Sequence, residues 1–407
     1  MSRPQIAHLD MDTFFVSVER VLDPRLLGRP VVIGADPRGR GVLCATSYEA
    51  RKFGVHAAMP VAWARHRLPP ETAWLRPTPE AYSAYSTAIH ELLRQDLPAV
   101  HQTSIDEFDL DLSGCETLLG DLHDYGQRIQ KTVRKEFGLP STFGLSTNRL
   151  VSKIAVGTAK PYGSIEIPAG HEASFLAPLP VERLPGVGKT TRKRLLELGI
   201  HTVGDLAACS LQTLQTALGS NGILLNERAR GIDRAPRPDA FSPRRRSSIS
   251  RDVTLPRDSE DPTLLRTHLS QLVESGCQEL RTLRCTARTI TVRIRYSDFI
   301  TRSRSSTRAS TDIDLEIFDT SRTLLENLID RRVRIRLIGI RLSNLQSRDE
   351  GLLDFQDSWS CWKRVLHATD RITQRHGPRT VRFGRSLIGE SRPDPCDLFS
   401  PPKRSPQ

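Results

Sequence analysis

No stretch of about 18 consecutive apolar residues occurs in the 407-residue chain, so the sequence offers no membrane-spanning helix. Cysteine is sparse: seven residues, at 44, 115, 209, 277, 285, 361 and 396, with no CxxC pair among them. That scatter excludes a disulfide scaffold and a structural zinc site, and it predicts reduced thiols in a cytoplasmic protein. The opening Met1-Ser-Arg-Pro runs straight into the apolar segment 6–10, with none of the features of a secretory leader. Lysine is scarce as well, because 50 of the 59 basic residues are Arg. Against 47 acidic residues they leave a net charge of +12, which points to an acidic partner such as nucleic acid or an anionic membrane surface. A hydrophobic content of 38% excludes wholesale disorder, and the length allows two or three domains.

What is present begins with alternating short strands and helices. Residues 6–10 read as a strand ending on a carboxylate, and 31–33 and 42–45 as further strands around a turn-rich 34–41. Helices are predicted over 80–93, 118–137 and 148–158, and strands over 101–105, 108–112 and 142–145. With 14–79 set aside as an insertion, the order is β-α-β-β-α-β, the split βαβ pattern of ferredoxin-like folds. Its first and third strands are antiparallel neighbours, so Asp10 is predicted to lie beside Asp106 and Glu107 at one sheet edge. Carboxylates crowded together repel unless cations neutralise them, and Mg²⁺ suits such a site, with waters and substrate phosphates completing its shell. Paired ions of this kind stabilise both the attacking and the leaving oxygens of phosphoryl transfer.

The words around these acids carry a resemblance. Leu9-Asp-Met-Asp-Thr-Phe-Phe15, Ser47-Tyr-Glu-Ala-Arg51, Ser104-Ile-Asp-Glu107, Gly144-Leu-Ser-Thr-Asn148, Ala159-Lys-Pro-Tyr-Gly163 and Leu184-Pro-Gly-Val-Gly188 occur in this order. Together they resemble the Y-family translesion DNA polymerases, most of all the bacterial DNA polymerase IV branch, over residues 5–345. The resemblance implies an α+β right-hand architecture: a ferredoxin-like palm (1–13 and 78–168), fingers (14–77) and a thumb with a helix-hairpin-helix (169–237). A tether (238–248), a βαββαβ little finger (249–345) and a tail (346–407) follow. It makes Asp10, Asp106, Glu107 and the Met11 carbonyl the ligands of two Mg²⁺. Phe14, Phe15, Tyr48, Arg51 and Lys160 become nucleotide contacts, with Phe15 the steric gate against a 2′-hydroxyl. The chain departs from the family twice. Ala45 stands where a hydroxyl residue is usual, which removes one triphosphate contact. Asp109 replaces an aromatic residue, adding an acid near the metals that is expected to alter their affinity.

Two further regions suit DNA. Around Gly186 and Gly188 the chain reads as a turn between helices whose backbone N–H groups can approach a phosphate, with Lys189, Arg192, Lys193 and Arg194 adding charge. A phosphate-binding P-loop is excluded there, since Arg183 occupies the position of its first glycine. Residues 236–248 form a Pro/Arg/Ser tether, and 249–345 repeat the β-α-β-β-α-β order without a sequence repeat. Its strands are predicted at 249–254, 287–296, 308–315 and 333–342, and its helices at 262–283 and 319–330. Residues 241–345 hold 20 Arg, no Lys and 13 acidic residues, a net +7. In 289–296 Thr291, Arg293 and Arg295 alternate with Ile, Val and Tyr, so one face can be buried while the other follows a phosphate backbone. The resemblance sets Lys153, Gly186, Gly188, Lys189, Thr291, Arg293, Arg295, Arg334 and Arg336 against DNA. In a Pro-rich tail expected to be disordered, Leu398-Phe399, and more weakly Leu352-Leu-Asp-Phe355, resemble sliding-clamp anchors.

The resulting expectation is a monomeric, low-fidelity DNA polymerase of the bacterial nucleoid, using primer–template DNA and dNTPs and no membrane. One rival is a catalytically silent relative acting as a DNA-binding adaptor. It fits poorly, because all three carboxylates are present. The other, a helix-hairpin-helix repair lyase or nuclease, leaves the Phe14-Phe15 and Tyr48–Arg51 words without a role.

Overall fold

Ile6–Met11 (β1) is a strand because Ala7, Leu9 and Met11 alternate with His8 and Asp10, and all six residues are buried. Both faces are covered because the strand lies inside a five-stranded sheet. The computed structural model describes residues 4–36, 40–97, 99–234, 246–347, 360–377 and 380–387, and its chain divides into two units, Met1–Pro243 and Arg244–Gln407.

In the first unit β1 leads into helix α1 (Phe14–Leu22), strands β2 (Val31–Gly34) and β3 (Leu43–Thr46), helices α2 (Tyr48–Arg51) and α3 (Val61–Arg65), and strand β4 (Ala73–Leu75). Strands β3, β2 and β4 form a small sheet of their own. Helix α4 (Pro79–Asp96), strands β5 (Val100–Gln102) and β6 (Glu107–Asp111), and helices α5 (Glu116–Leu119) and α6 (Leu122–Phe137) come next. Strand β7 (Ser141–Ser146), helix α7 (Arg149–Ala159) and strand β8 (Ser164–Glu166) complete the large sheet, in the order β5-β6-β1-β7-β8. Its first four strands have the ferredoxin-like arrangement that the element order predicts. Antiparallel pairing of β1 with β6 sets Asp10 opposite Glu107.

Two local expectations are corrected. The single helix expected over 118–137 is broken, because Gly120 at φ +74° ends α5 and the Asp121 carboxylate caps α6 by accepting from the Asp124 N–H at 2.8 Å. Helix α1 is no mere part of an insertion. Phe14 and Val18 pack in the core of the large sheet, whereas Val16 packs with Val31 and Ile33 of the small one. After the large sheet come helices α8 (Glu172–Leu176), α9 (Lys189–Glu197), α10 (Val203–Ala208), α11 (Leu211–Leu218) and α12 (Ser220–Ala229). They share a core with Leu150, Val151 and Ile154 of α7.

The second unit runs β9 (Ser248–Ser259), α13 (Pro262–Thr282), β10 (Cys285–Tyr296), β11 (Thr301–Thr311), α14 (Asp314–Glu326), β12 (Ile335–Ser347) and α15 (Ser360–His376). The strand expected at 308–315 is therefore earlier, and Asp314 already starts a helix. The cause is legible afterwards: 301–311 is Thr, Ser and Arg with one Ala, so no apolar alternation marks it. It is an edge strand, held by backbone pairing to β10 and guarded by charge. The sheet order β11-β10-β12-β9 places the first strand at an edge, whereas β1 is internal to its sheet. One element order has thus produced two different sheets. Ile290, Val292, Ile294 and Tyr296 of β10 are buried with Leu269 and Val273 of α13 and Ile317 of α14, leaving Thr291, Arg293 and Arg295 on the other face. Among the described residues no helix is long and apolar enough to cross a membrane.

Candidate active site and nucleic-acid interface

The β1–β6 register delivers the carboxylates. The Met11 N–H donates to the Asp106 carbonyl at 2.9 Å, pinning the entry to β6 beside the end of β1. Ser104 Oγ holds Asp106 Oδ1 at 2.6 Å. Asp10 is 9% exposed. Burial pushes its carboxyl above the ordinary range, the Lys160 ammonium opposes this, and the charges of Asp106 and Glu107 add to it. Lys160 Nζ lies 2.5 Å from Asp10 Oδ1, and Lys153 Nζ lies 2.6 and 2.5 Å from the two Glu107 oxygens. Lys153 therefore stands beside the acidic centre while remaining exposed. Crowded, partly buried carboxylates that recruit two ammonium groups are a donor set that fits a hard divalent cation. The ligating atoms of His8, Asp10 and Glu107 come within 4.8 Å of one another, a group that includes His8 and leaves Asp106 outside. The Met11 side chain is in the core, so only its backbone is available to a ligand.

Asp12 was not singled out by the sequence, yet it ties the site together. Fully buried, it accepts from Thr142 Oγ1 at 2.9 and 3.1 Å, from the Tyr48 hydroxyl at 3.1 Å and from the Tyr162 N–H at 2.9 Å. The acid alternation Asp10-Met11-Asp12 was its signal, but Thr13 at φ +44° turns the chain there and strand periodicity stops applying. Tyr48 and Arg51 share one side of α2, with the guanidinium 4.9 Å from the ring centroid. Burial, joined by the Asp12 charge, pushes the Tyr48 phenol up and keeps it a donor. Ala45 supplies no hydroxyl, but its neighbour Thr46 is buried and accepts from Arg51 Nε at 3.3 Å.

The two phenylalanines part company. Phe14 is a core residue, 3% exposed, so its ring is not a nucleotide contact. Phe15 is half-buried and lies flat on Tyr82, centroids 4.3 Å apart and planes at 12°. Tyr82, another residue no motif announced, is fixed by its hydroxyl's 2.5 Å bond to Glu19. Asp109 is not the loose acid expected. Burial pushes its carboxyl up, but His8 Nδ1 and Arg149 Nε, each at 2.6 Å, outweigh it and hold the group below its ordinary range.

At the helical hairpin Gly186 has φ +102°, and Arg228 Nη1 pins the turn by donating to the Pro185 carbonyl at 2.8 Å. Gly188 begins α9 with extended backbone and no side-chain cap, so the first N–H groups from Lys189 onward lack an internal partner. The basic face is weaker than its sequence suggests, since Arg192 pairs with Glu182 at 3.3 Å and Lys193 with Glu197 at 3.9 Å. The same holds in the second unit. Arg293 bonds Asp252, Arg334 and Arg336 lie 4.0 Å from Glu260 and Asp258, and Arg295 Nε donates to Thr301 at 3.0 Å. Thr291 shares a hydrogen bond with Ser305 at 2.9 Å. The Leu352–Phe355 and Leu398-Phe399 words lie outside the described residues.

Comparison with known proteins finds matches over most of the chain. The model of the impB/mucB/samB family matches residues 9–157, that family's C-terminal-domain model matches 246–355, and a DNA polymerase-iota thumb-domain model matches 182–233. DNA polymerase IV of Dehalococcoides mccartyi strain CBDB1 is 35% identical over 388 residues, 95% of this chain and 98% of that one. DNA polymerase IV of Halorhodospira halophila is 38% identical over 86% of this chain and 97% of its own length. Among solved structures, a Y-family DNA polymerase chimera of Dbh and Dpo4 superposes with a TM-score of 0.76 at 25% identity, covering 84% of this chain and 99% of its own.

Proposed function

This chain belongs to the Y-family of DNA polymerases, and on that premise we propose that Asp10, Asp106, Glu107 and the Met11 carbonyl hold two Mg²⁺ ions for nucleotidyl transfer. The chain is a DNA-directed DNA polymerase of the translesion class, and the adaptor reading is not favoured. Bound there, the ions would lower the pKa of the primer 3′-hydroxyl and neutralise charge on the transferring phosphate. The protein's own part is to place and neutralise. Lys160, Arg51 and Tyr48 meet the triphosphate as a point charge, a planar fork and a hydroxyl donor. The Phe15 ring, braced by Tyr82, lies under the sugar. The Asp10–Glu107 register, with Asp10 buried beside Lys160, is the observation that carries this reading.

Under the same proposal, 1–13 and 78–168 are the palm, 14–77 the fingers and 169–237 the thumb. The α9 N-terminus grips the DNA backbone, and the Arg face of β10 and β12 in a little finger over 249–345 follows the duplex. A small fingers segment, with no exonuclease domain among the described residues, is read as low fidelity. The enzyme acts as a cytoplasmic monomer, tethered to a sliding clamp through its tail. Primer extension on undamaged and adducted templates tests the whole. Asp106→Ala with Glu107→Ala should abolish extension while DNA affinity is kept, and a double variant that still extends overturns the assignment.

A further inference from the structure

The imidazole of His8 has no part in the proposed two-ion chemistry, yet its placement is specific. His8 is 1% exposed, and its Nε2 has no hydrogen-bond partner. A buried polar nitrogen left unpaired is costly, so a structure that keeps one at a charged centre calls for an occupant. Nε2 faces Glu107 Oε1 at 3.9 Å and falls within the 4.8 Å group formed with Asp10 and Glu107. The other ring nitrogen explains the orientation. Nδ1 meets Asp109 Oδ1 at 2.6 Å, and the second Asp109 oxygen is taken by Arg149 Nε at 2.6 Å. An ionised carboxylate only accepts, so Nδ1 carries a hydrogen and Nε2 is the ring nitrogen left to face Glu107. A carboxylate holding a histidine in this way is the usual support of a metal-ligating imidazole.

We propose that His8 Nε2, together with Asp10 and Glu107, forms a mixed nitrogen–oxygen site for a first-row transition cation such as Mn²⁺, with Asp109 and Arg149 as its positioning residues. The proposal rests on Asp10 and Glu107 being metal carboxylates, as above, and adds a ligand and a metal preference to them. Imidazole suits transition ions, whereas Mg²⁺ favours an all-oxygen shell. Around an ion with bonds of about 2.1 Å, opposite ligands are about 4.2 Å apart and adjacent ones about 3.0 Å, so side-chain shifts of about 1 Å close the site. Lys153, which now bonds Glu107, is 46% exposed in its side chain and can swing to solvent. A cavity of about 220 Å³ lined by His8, Thr103, Asp109, Arg149 and Lys153, but not by Asp10 or Glu107, lies on the Asp109 side of the imidazole.

The test uses the full-length protein with Mn²⁺ as the probe and reads electron spin-echo modulation. Directly coordinated imidazole should give a ¹⁴N coupling that His8→Asn loses, since Asn can still donate to Asp109 but has no atom at the Nε2 position. In an equilibrium titration, Asp109→Asn should weaken Mn²⁺ binding by about tenfold and change the Mn²⁺-to-Mg²⁺ preference in the same direction. Mn²⁺ bound without ¹⁴N coupling overturns this inference and leaves the carboxylate assignment standing. No Mn²⁺ bound at all overturns both. If His8→Asn does not fold, the wild-type spectrum still decides, because His8 is the only histidine in the cluster found among the described residues.

Discussion

At the scale of single residues, the site is governed by what braces each working group. Phe15 stacks on Tyr82, Tyr82 is tied to Glu19, and Thr78 Oγ1 donates to the same Glu19 oxygen at 3.0 Å. The ring's position is therefore imposed by α4, and its removal should open space instead of letting a neighbour fill in. Phe15→Ala should lower discrimination against ribonucleotides by about 10- to 200-fold, the scale of a lost steric contact in a pocket, with a smaller effect on dNTP addition. Single-nucleotide incorporation with dNTP and rNTP measures this, and unchanged selectivity would make Phe15 a packing residue. Asp12 shows the complementary case. Thr142, Tyr48 and Tyr162 all donate to it, so three segments distant along the chain meet on a buried carboxylate whose role no motif had marked.

At the scale of elements, two junctions stand out. Gly186 turns the chain into α9 at φ +102°, and a Cβ there would come within 3.1 Å of Arg228 Nη1, the group that holds the Pro185 carbonyl. Gly186→Ala should therefore cost about 1–3 kcal/mol in urea unfolding and weaken primer–template binding through a displaced hairpin. In the second unit Arg281 joins three helices, meeting Asp314 of α14 at 2.6 Å and Asp370 of α15 at 2.6 and 3.0 Å. Burial pushes the Asp314 carboxyl up to about 6 despite Arg281. Its folded pKa exceeds the unfolded one, so the folded protein holds a proton there that the unfolded chain has released. The stability Asp314 contributes is thus greatest below about pH 4, declines as pH rises towards 6 and is flat beyond, at about 1.4 kcal/mol for each unit of difference. Urea melts between pH 4 and 7 should show this decline in the wild type, and Asp314→Asn should flatten it. Parallel curves for the two proteins would remove Asp314 as the cause.

At the scale of the molecule, the net charge of +12 is not spread as free positive charge. Arg293, Arg334 and Arg336 each face a carboxylate on or just beyond β9. The Arg293 and Arg334 pairs are exposed enough to be worth about 0–1 kcal/mol, so a phosphate can displace them, whereas the Arg336 pair is half-buried and the buried Arg281 pairs stay closed. DNA affinity should fall steeply with salt, each phosphate contact contributing about −0.9 to the log–log slope. Arg293→Ala, Arg334→Ala and Arg336→Ala combined should flatten the slope by about one for each arginine that meets a phosphate. An unchanged slope would show that this face does not touch DNA.

The sequence by itself determined four strands of the large sheet, because alternating apolar residues in β1 and the β-α-β-β-α-β order leave few ways to pair them. With them it placed Asp10 beside Glu107, since a one-residue slip of β1 would drive a carboxylate into the core where Leu9 packs. Its continuous motifs also marked Tyr48, Arg51 and Lys160 as the residues expected to meet phosphate. Only the tertiary structure decided what depends on partners distant along the chain. Periodicity cannot say that Thr142 and Tyr162 complete Asp12, that Tyr82 braces Phe15, or that Asp109 belongs to His8 and Arg149. A charge count cannot pair Arg293 with Asp252. Nor could element order choose between an internal and an edge position for a first strand, as β1 and β9 show. Polar contacts made across a hundred residues leave no local pattern, whereas burial of apolar side chains leaves one in every strand.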